Sequence, residues 1–103
     1  MKNDKKFVII RTYSAGVHMG TLETCIPGKG GYYVTLRNAR RIWSWAGANS
    51  LSELGCHGSK DPKKCNISLP VPEIQIHAIE VIHTTDIARV ELERIVDWKF
   101  INT

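Results

Sequence analysis

No apolar run in this 103-residue chain approaches the roughly 20 residues that a membrane-spanning helix requires. The opening MKNDKKFVII places four apolar residues before Arg11, too few for a secretory hydrophobic region, so a cytoplasmic protein is expected. Cysteine is scarce and odd in number, three in all (Cys25, Cys56, Cys65), which argues against a disulfide framework. Cys56-His57 with Cys65 matches no usual zinc spacing, and a fourth ligand would have to come from His18, His77 or His83. No metal and no cofactor is therefore expected, and the thiols read as free and partly buried. Phosphate-cradling P-loops, the G-x-G-x-x-G fingerprint and the G-x-S-x-G elbow are all missing. The four histidines are scattered, with His77 in an apolar segment reading as structural and His83 as solvated. No carboxylate pair is placed for acid–base work, so the expected protein is not an enzyme. Dense basic clusters are lacking as well: the net charge is +4 and the pI about 9.1, much of it from Lys2, Lys5, Lys6, Lys60, Lys63 and Lys64. A phosphate-bearing small ligand suits that charge as well as nucleic acid does.

The composition that remains, 43% hydrophobic and 23% charged, is that of a globular chain with room for one domain. A core of this size is only marginally stable alone, so oligomerisation would help it. Residues 1–5 read as a flexible polar tail. Strands are expected over Lys6–Tyr13, Val17–Cys25, Tyr32–Asn38, Arg40–Trp45 and Glu73–Ile82, with a brief edge strand at Ile67–Leu69 bounded by Pro70 and Pro72. Ser14-Ala15-Gly16 is a turn signal, and Pro27-Gly28-Lys29-Gly30-Gly31 a hairpin loop. Ser50 with Glu53 forms a capping box for a short helix that Gly55 and Gly58 should stop. Thr84 or Thr85 should cap a longer one reaching about Val96, with an apolar stripe of Ile87, Val90 or Leu92, Ile95 and Val96. The tail Asp97–Thr103 reads as a final strand or a docking segment. The fold class expected is α+β: a small single domain spanning 1–103, mostly antiparallel sheet with one short and one longer helix.

Two segments concentrate chemistry. Asn38–Leu51 (NARRIWSWAGANSL) sets Arg40 and Arg41 beside Trp43 and Trp45, followed by the small residues Ala46-Gly47-Ala48 and by Asn49 and Ser50. Guanidinium groups grip phosphate in a fork and indoles stack on bases. Strand alternation would put Arg41 on one face with Trp43 and Trp45, and Arg40 with Ile42 and Ser44 on the other. The bland counterpart is an amphipathic strand with one core tryptophan and surface arginines. Arg11-Thr12-Tyr13-Ser14-Ala15-Gly16-Val17 ends a hydrophobic strand. It crowds a guanidinium, hydroxyls and a glycine into a turn whose amides could form an anion nest, against an ordinary polar turn. His18 follows that turn and could meet a ligand held there. The candidate ligand-binding residues are thus Arg11, Thr12, Tyr13, Ser14, Gly16, His18, Arg40, Arg41, Trp43, Trp45 and Ser50, with no catalytic residue and no metal ligand.

At RTYSAGVHMGTL and NARRIWSWAGANSLSELG the chain resembles a family of short single-domain proteins of tailed bacteriophages, long catalogued as a domain of unknown function. The resemblance runs from about Phe7 to Val81 and weakens in the glycine loop, in Cys56–Asn66 and past Thr84. It implies a phage or prophage product acting inside the infected bacterial host cell. Phage proteins of this size include sponges that sequester the cyclic oligonucleotide or ADP-ribose signals of CBASS and Thoeris immunity. Similarity to those in function gives the leading expectation: a non-catalytic, homo-oligomeric binder of a nucleotide-derived signal, with Arg40 and Arg41 on phosphates and Tyr13 with Trp43 or Trp45 on bases. The alternatives are a protein-interaction module that inhibits a host enzyme and a small nucleic-acid binder.

Overall fold

The computed structural model describes residues 6–45, 50–59 and 65–95. Its elements run β1 (Phe7–Thr12), β2 (Val17–Gly28), β3 (Gly31–Ser44), α1 (Leu51–His57), β4 (Asn66–Ile67), β5 (Val71–His83) and α2 (Asp86–Glu93). All pairings are antiparallel. β1 lies between β2 and β5, β5 reaches across to β3, and β3 pairs back onto β2. Four strands therefore close on themselves into a small barrel. Closure depends on strand length: β2, β3 and β5 have 12, 14 and 13 residues, enough for each to serve two neighbours. β5 changes partner at Ala78, which faces both Tyr32 of β3 and Thr12 of β1.

The unbroken apolar run of β1 now has its reason. Val8 and Ile10 point into the barrel with Val34, Leu36, Ala39 and Ala78. Phe7 and Ile9 point outward into a second core with Met19, Ile42, Leu54, Ile67 and Leu92, where both helices pack. A strand buried on both faces needs apolar residues at consecutive positions. Fully burying each such side chain contributes about 1.5–3 kcal/mol.

β3 crosses between the two cores by a bulge. Met19 lies opposite Arg40 while Thr21 lies opposite Arg37, leaving Asn38 and Ala39 together against Gly20. Asn38 takes the left-handed region, φ 51°, which asparagine tolerates better than most residues. The extra residue inverts the alternation. Val34 and Leu36 face the barrel interior, yet Ile42 joins the helix-side core. Arg40 goes with Ile42, and Arg41 goes to the side that Ala39 occupies.

Several expectations meet their limits here. Strand dominates, and the helices have only 7 and 8 residues, so a mostly antiparallel sheet with two helices is the better description than α+β, and the second helix is barely the longer. The segments expected as two strands, Tyr32–Asn38 and Arg40–Trp45, are one strand ending at Ser44, and β2 runs past Cys25 to Gly28. β4 is shorter than expected, and β5 starts at Val71, before Pro72. Gly55 does not stop α1 but lies inside it, where a Cβ would sit 2.9 Å from Ile82 Cγ2. Gly58 does end it, its N–H donating to Leu54 O, and Ser50 caps it by accepting from Glu53 N at 3.1 Å. On α2 the cap is Thr85. The buried stripe is Ala88, Leu92 and Ile95, with Ile87 and Val90 exposed. The helix is rotated by its anchor: Thr84 N and Oγ1 donate to Phe7 O, Thr85 N to Gly55 O and Thr85 Oγ1 to Cys56 O. The polar tail 1–5, the small-residue segment 46–49, the loop at 60–64, Val96 and the segment 97–103 lie outside the described residues.

Candidate functional site

The turn after β1 is built by one side chain. Thr12 Oγ1 donates to Gly16 O (2.8 Å) and accepts from Ala15 N (2.8 Å), and Thr12 N donates to the same Gly16 carbonyl (3.1 Å). Thr12 is buried, and Tyr13, Ser14 and Ala15 are left at the exposed tip. The Thr12 hydroxyl is spent on closing the turn, so it is not the supplementary ligand donor expected of it, and the Ala15 amide is withdrawn from any anion nest.

Beyond the turn, β2 sets His18 directly opposite Arg41 of β3. Arg41 is held from the other side by Ser68, whose Oγ accepts from Arg41 N (2.8 Å) and whose N donates to Arg41 O (2.9 Å). With its backbone fixed, the Arg41 guanidinium lies over the Trp43 indole, 4.2 Å from the ring centroid. It also covers Gly16: a Cβ there would fall 2.8 Å from Nη2. Gly16 has φ 88°, so glycine serves both the left-handed turn and the close approach. The turn and the Arg/Trp segment thus form one cluster of Gly16, His18, Arg41 and Trp43. Trp43 is 62% exposed and Tyr13, at the tip, 89%.

The remaining expected ligands go elsewhere. Arg11 Nε donates to Glu80 Oε1 at 2.9 Å, across the β1–β5 pairing. Trp45 lies past the end of β3, and its indole packs against the helix-side core. It does not share the Arg41–Trp43 face, because regular alternation stops where the β4 pairing shifts between Ile42 and Ser44. The Ser50 hydroxyl is the α1 cap. Arg40 is on the opposite face from Arg41, its Nε donating to Ser68 O at 2.8 Å. Two organising residues were not singled out from the sequence. Ser68 engages both arginines from 27 and 28 residues away, with no local signal. Asn38 was readable in principle, since unbroken alternation from Leu36 would put Arg40 and Ile42 on the wrong face.

Charge pairing separates Arg41 from its neighbours. Arg11 has Glu80, Arg37 sits between Glu23 (3.7 Å) and Glu73 (3.5 Å), and Arg89 pairs with Glu93 (3.3 Å). Among the described residues the Arg41 guanidinium has no hydrogen-bond or ion-pair partner, only the indole. A half-buried arginine fixed on an aromatic ring, with its donors uncommitted, is prepared for an anion.

His18 shares this environment. Its Nε2 lies 2.9 Å from Ala15 O; a carbonyl only accepts, so Nε2 carries the proton and Nδ1 is the acceptor in the neutral ring. Burial pushes the His18 pKa below its usual 6.5, and the Arg41 charge adds to that, against the upward pull of the Ala15 carbonyl. At neutral pH the ring is thus uncharged and Arg41 supplies the positive charge. The lowered pKa has a consequence for stability. Above pH 6.5 the ring is neutral folded and unfolded, and its contribution is complete. As the pH falls below 6.5 the unfolded chain takes the proton first, and stability is lost until the folded pKa is passed. Urea midpoints measured from pH 7.5 to 5 should therefore fall more steeply for the native protein than for His18→Gln. Equal slopes would contradict the burial of a neutral ring.

Among the described residues, two of the concavities lie against the barrel. One, of about 450 Å³, is lined by Thr24, Ile26, Tyr33 and His77 among others. His77 is satisfied there, its ring tilted at 56° to Tyr33 with the centroids 5.0 Å apart and its Nε2 2.9 Å from Lys29 O, in line with a structural role. The other, of about 300 Å³, lies between β3 and α2. No group of three or more His, Cys, Asp or Glu side chains among the described residues could hold a metal. None of the described helices is long and apolar enough to cross a membrane.

A family model matches residues 5–92, which include the turn, the Arg41–Trp43 stack and both helix caps. The chain belongs to the family described as Domain of unknown function (DUF6948). The DUF6948 match takes in every residue of the cluster, from Gly16 to Trp43, together with Ser68, which fixes Arg41. No curated protein and no solved structure matches the chain.

Proposed function

We propose that this protein is a non-catalytic binder that sequesters a nucleotide-derived signal of the cyclic oligonucleotide or ADP-ribose type, as a phage product would to blunt host immunity. The observation that carries the reading is the Arg41 guanidinium, stacked on Trp43 at 4.2 Å and without a polar partner among the described residues. Arg41 takes a phosphate through its donor edges, Trp43 and Tyr13 offer stacking surface to a base, and neutral His18 offers Nδ1 to a hydroxyl or amino group. Gly16 leaves room for the guanidinium to lie flat over the turn. The cluster of Gly16, His18, Arg41 and Trp43 holds one acid–base group, His18, and no carboxylate, an incomplete set for cleavage that favours capture. One chain supplies one wall, since Tyr13 and Trp43 stand mostly exposed; a second copy of the chain closes the site in this reading.

Calorimetry against cyclic dinucleotides, cyclic trinucleotides and cyclic ADP-ribose isomers tests it. Saturable heat is expected for at least one class, with the ligand recovered intact after denaturation. No heat from any of them would remove the proposal. Recovery of cleaved ligand would replace capture by hydrolysis. Binding of single-stranded DNA that collapses steeply with salt would replace it by nucleic-acid recognition.

A further inference from the structure

Both helices pack on the outer face of the barrel that carries Phe7, Ile9, Met19 and Ile42. Among the described residues nothing packs on the outer face of β2, β3 and β5 near their hairpin, and the concavity of about 450 Å³ lies there. Register organises that face, because side chains at paired positions of an antiparallel sheet share a side. Val34 and Leu36 point into the barrel, so Tyr33 and Thr35 point out. Ile26 and His77 flank Tyr33, and Thr24 and Gln75 flank Thr35. Thr24 reaches this face only through a second bulge: Leu22 lies opposite Leu36, yet Thr24 lies opposite Thr35. Unbroken alternation from Leu22 would send it inward. Two rows therefore cross the three strands, one aromatic and apolar, the other of hydroxyls and a carboxamide.

We propose that this face binds a neutral sugar, a pyranose ring lying on Tyr33 with its hydroxyls on the row of Thr24, Thr35 and Gln75. The aromatic platform is held ready. The Tyr33 ring occupies the space that a side chain at Gly28 would take, and His77 leans against it at 56°. His77 is in turn tied to Lys29 O at 2.9 Å. Tyr33 is nevertheless 55% exposed, which leaves ring surface for a ligand. The negative π face attracts the C–H bonds that line one side of a pyranose. No carboxylate, lysine or arginine is among the lining residues, which matches an uncharged ligand. The Thr24, Thr35 and Gln75 side chains have no hydrogen-bond partner among the described residues. An apolar docking segment would bury those groups unpaired, at a cost. Sugar hydroxyls both donate to them and accept from them. The volume falls in the range of small-molecule sites. This inference does not rest on the nucleotide-signal reading.

NMR titrations with methyl β-glucoside, methyl β-galactoside and glucose 6-phosphate test it. Saturable shifts are expected at Thr24, Ile26, Tyr33, Thr35 and Gln75 with at least one neutral glycoside, and the phosphorylated sugar should bind no more tightly. Tyr33→Ala should weaken that glycoside by roughly 10-fold or more, and Tyr33→Phe by far less, since the ring is the platform. Gln75→Ala should cost roughly 2- to 10-fold, the range of one neutral hydrogen bond. Gln75 is exposed, so this variant carries the test should Tyr33→Ala unfold the chain. Arg41→Gln should leave the affinity unchanged. No saturable shift with glycoside in the tens of millimolar, shifts confined to other residues, tighter binding of the phosphate, or an equal loss with Arg41→Gln would overturn the proposal. So would shifts on this face from raising the protein concentration alone, which would make it an interface between copies of the chain.

Discussion

Arg41→Gln is expected to weaken binding of the proposed nucleotide ligand by roughly 10- to 100-fold, because hydrogen bonds to a charged group contribute about 1.5–3 kcal/mol. Trp43→Ala should cost a similar factor, since stacking on an aromatic is worth about 1–3 kcal/mol per base. The two losses should not add. The indole is the surface on which the guanidinium rests, 4.2 Å from the ring centroid, so removing Trp43 also frees Arg41, and the double variant should fall short of the sum. Arg41→Lys should rescue little, because an ammonium offers neither a flat face for the indole nor a two-pronged grip on phosphate. Stability should barely change in any of these, as the Arg41 side chain has no polar partner to lose among the described residues. Arg11→Gln is the informative control: its guanidinium is held by Glu80 at 2.9 Å, and affinity should stay as it was. Calorimetric titration of these variants decides it. A loss with Arg11→Gln equal to that with Arg41→Gln would mean that net charge, not the stacked arginine, does the binding.

Gly31→Ala is expected to be the most damaging small substitution in the barrel, lowering stability by about 4 kcal/mol or more, the range in which single changes are diagnostic of a specific clash. A Cβ at Gly31 would fall on the backbone carbonyl of Ala78, its carbon only 2.1 Å from the oxygen. Ala78 is where β5 leaves β3 for β1, so neither backbone can yield without opening the ring of strands. Against a total stability of about 5–15 kcal/mol for a domain of ordinary size, that loss removes much of the margin. Gly30→Ala, one residue earlier, makes the contrast. Gly30 has φ 75° with nothing within 4 Å of the added carbon, so only the left-handed penalty of about 1–2 kcal/mol applies. Urea unfolding of the pair should therefore show the larger drop at the glycine with the ordinary backbone. The reverse order would mean that the barrel is not closed at Ala78.

Both predictions turn on contacts that sequence spacing reaches only halfway. The helix caps Ser50 and Thr85, the turn at Gly16 and the hairpin at Lys29-Gly30 were legible because each is made by residues within a few positions of one another. The separation of Arg40 from Arg41 was legible for the same reason, since alternation along a strand is local. The companionship of Trp45 with Arg41 was not, because it depends on where β4 stops pairing with β3. Nor was the fate of Arg11, decided by Glu80 on another strand 69 residues away.

By itself the sequence determined the local alphabet of this protein: which segments extend, where turns and caps fall, and that aromatic and guanidinium groups gather in one strand. Backbone propensity and side-chain period act over a few residues and are written in the chain. The tertiary structure alone decided that the strands close into a barrel, that the bulge at Asn38 sets which surface each of Arg40 and Arg41 takes, and that Arg41 meets Gly16 and His18 while Arg11 meets a carboxylate. Those outcomes depend on register between strands far apart in sequence. A shift of one residue there reverses every side chain that follows.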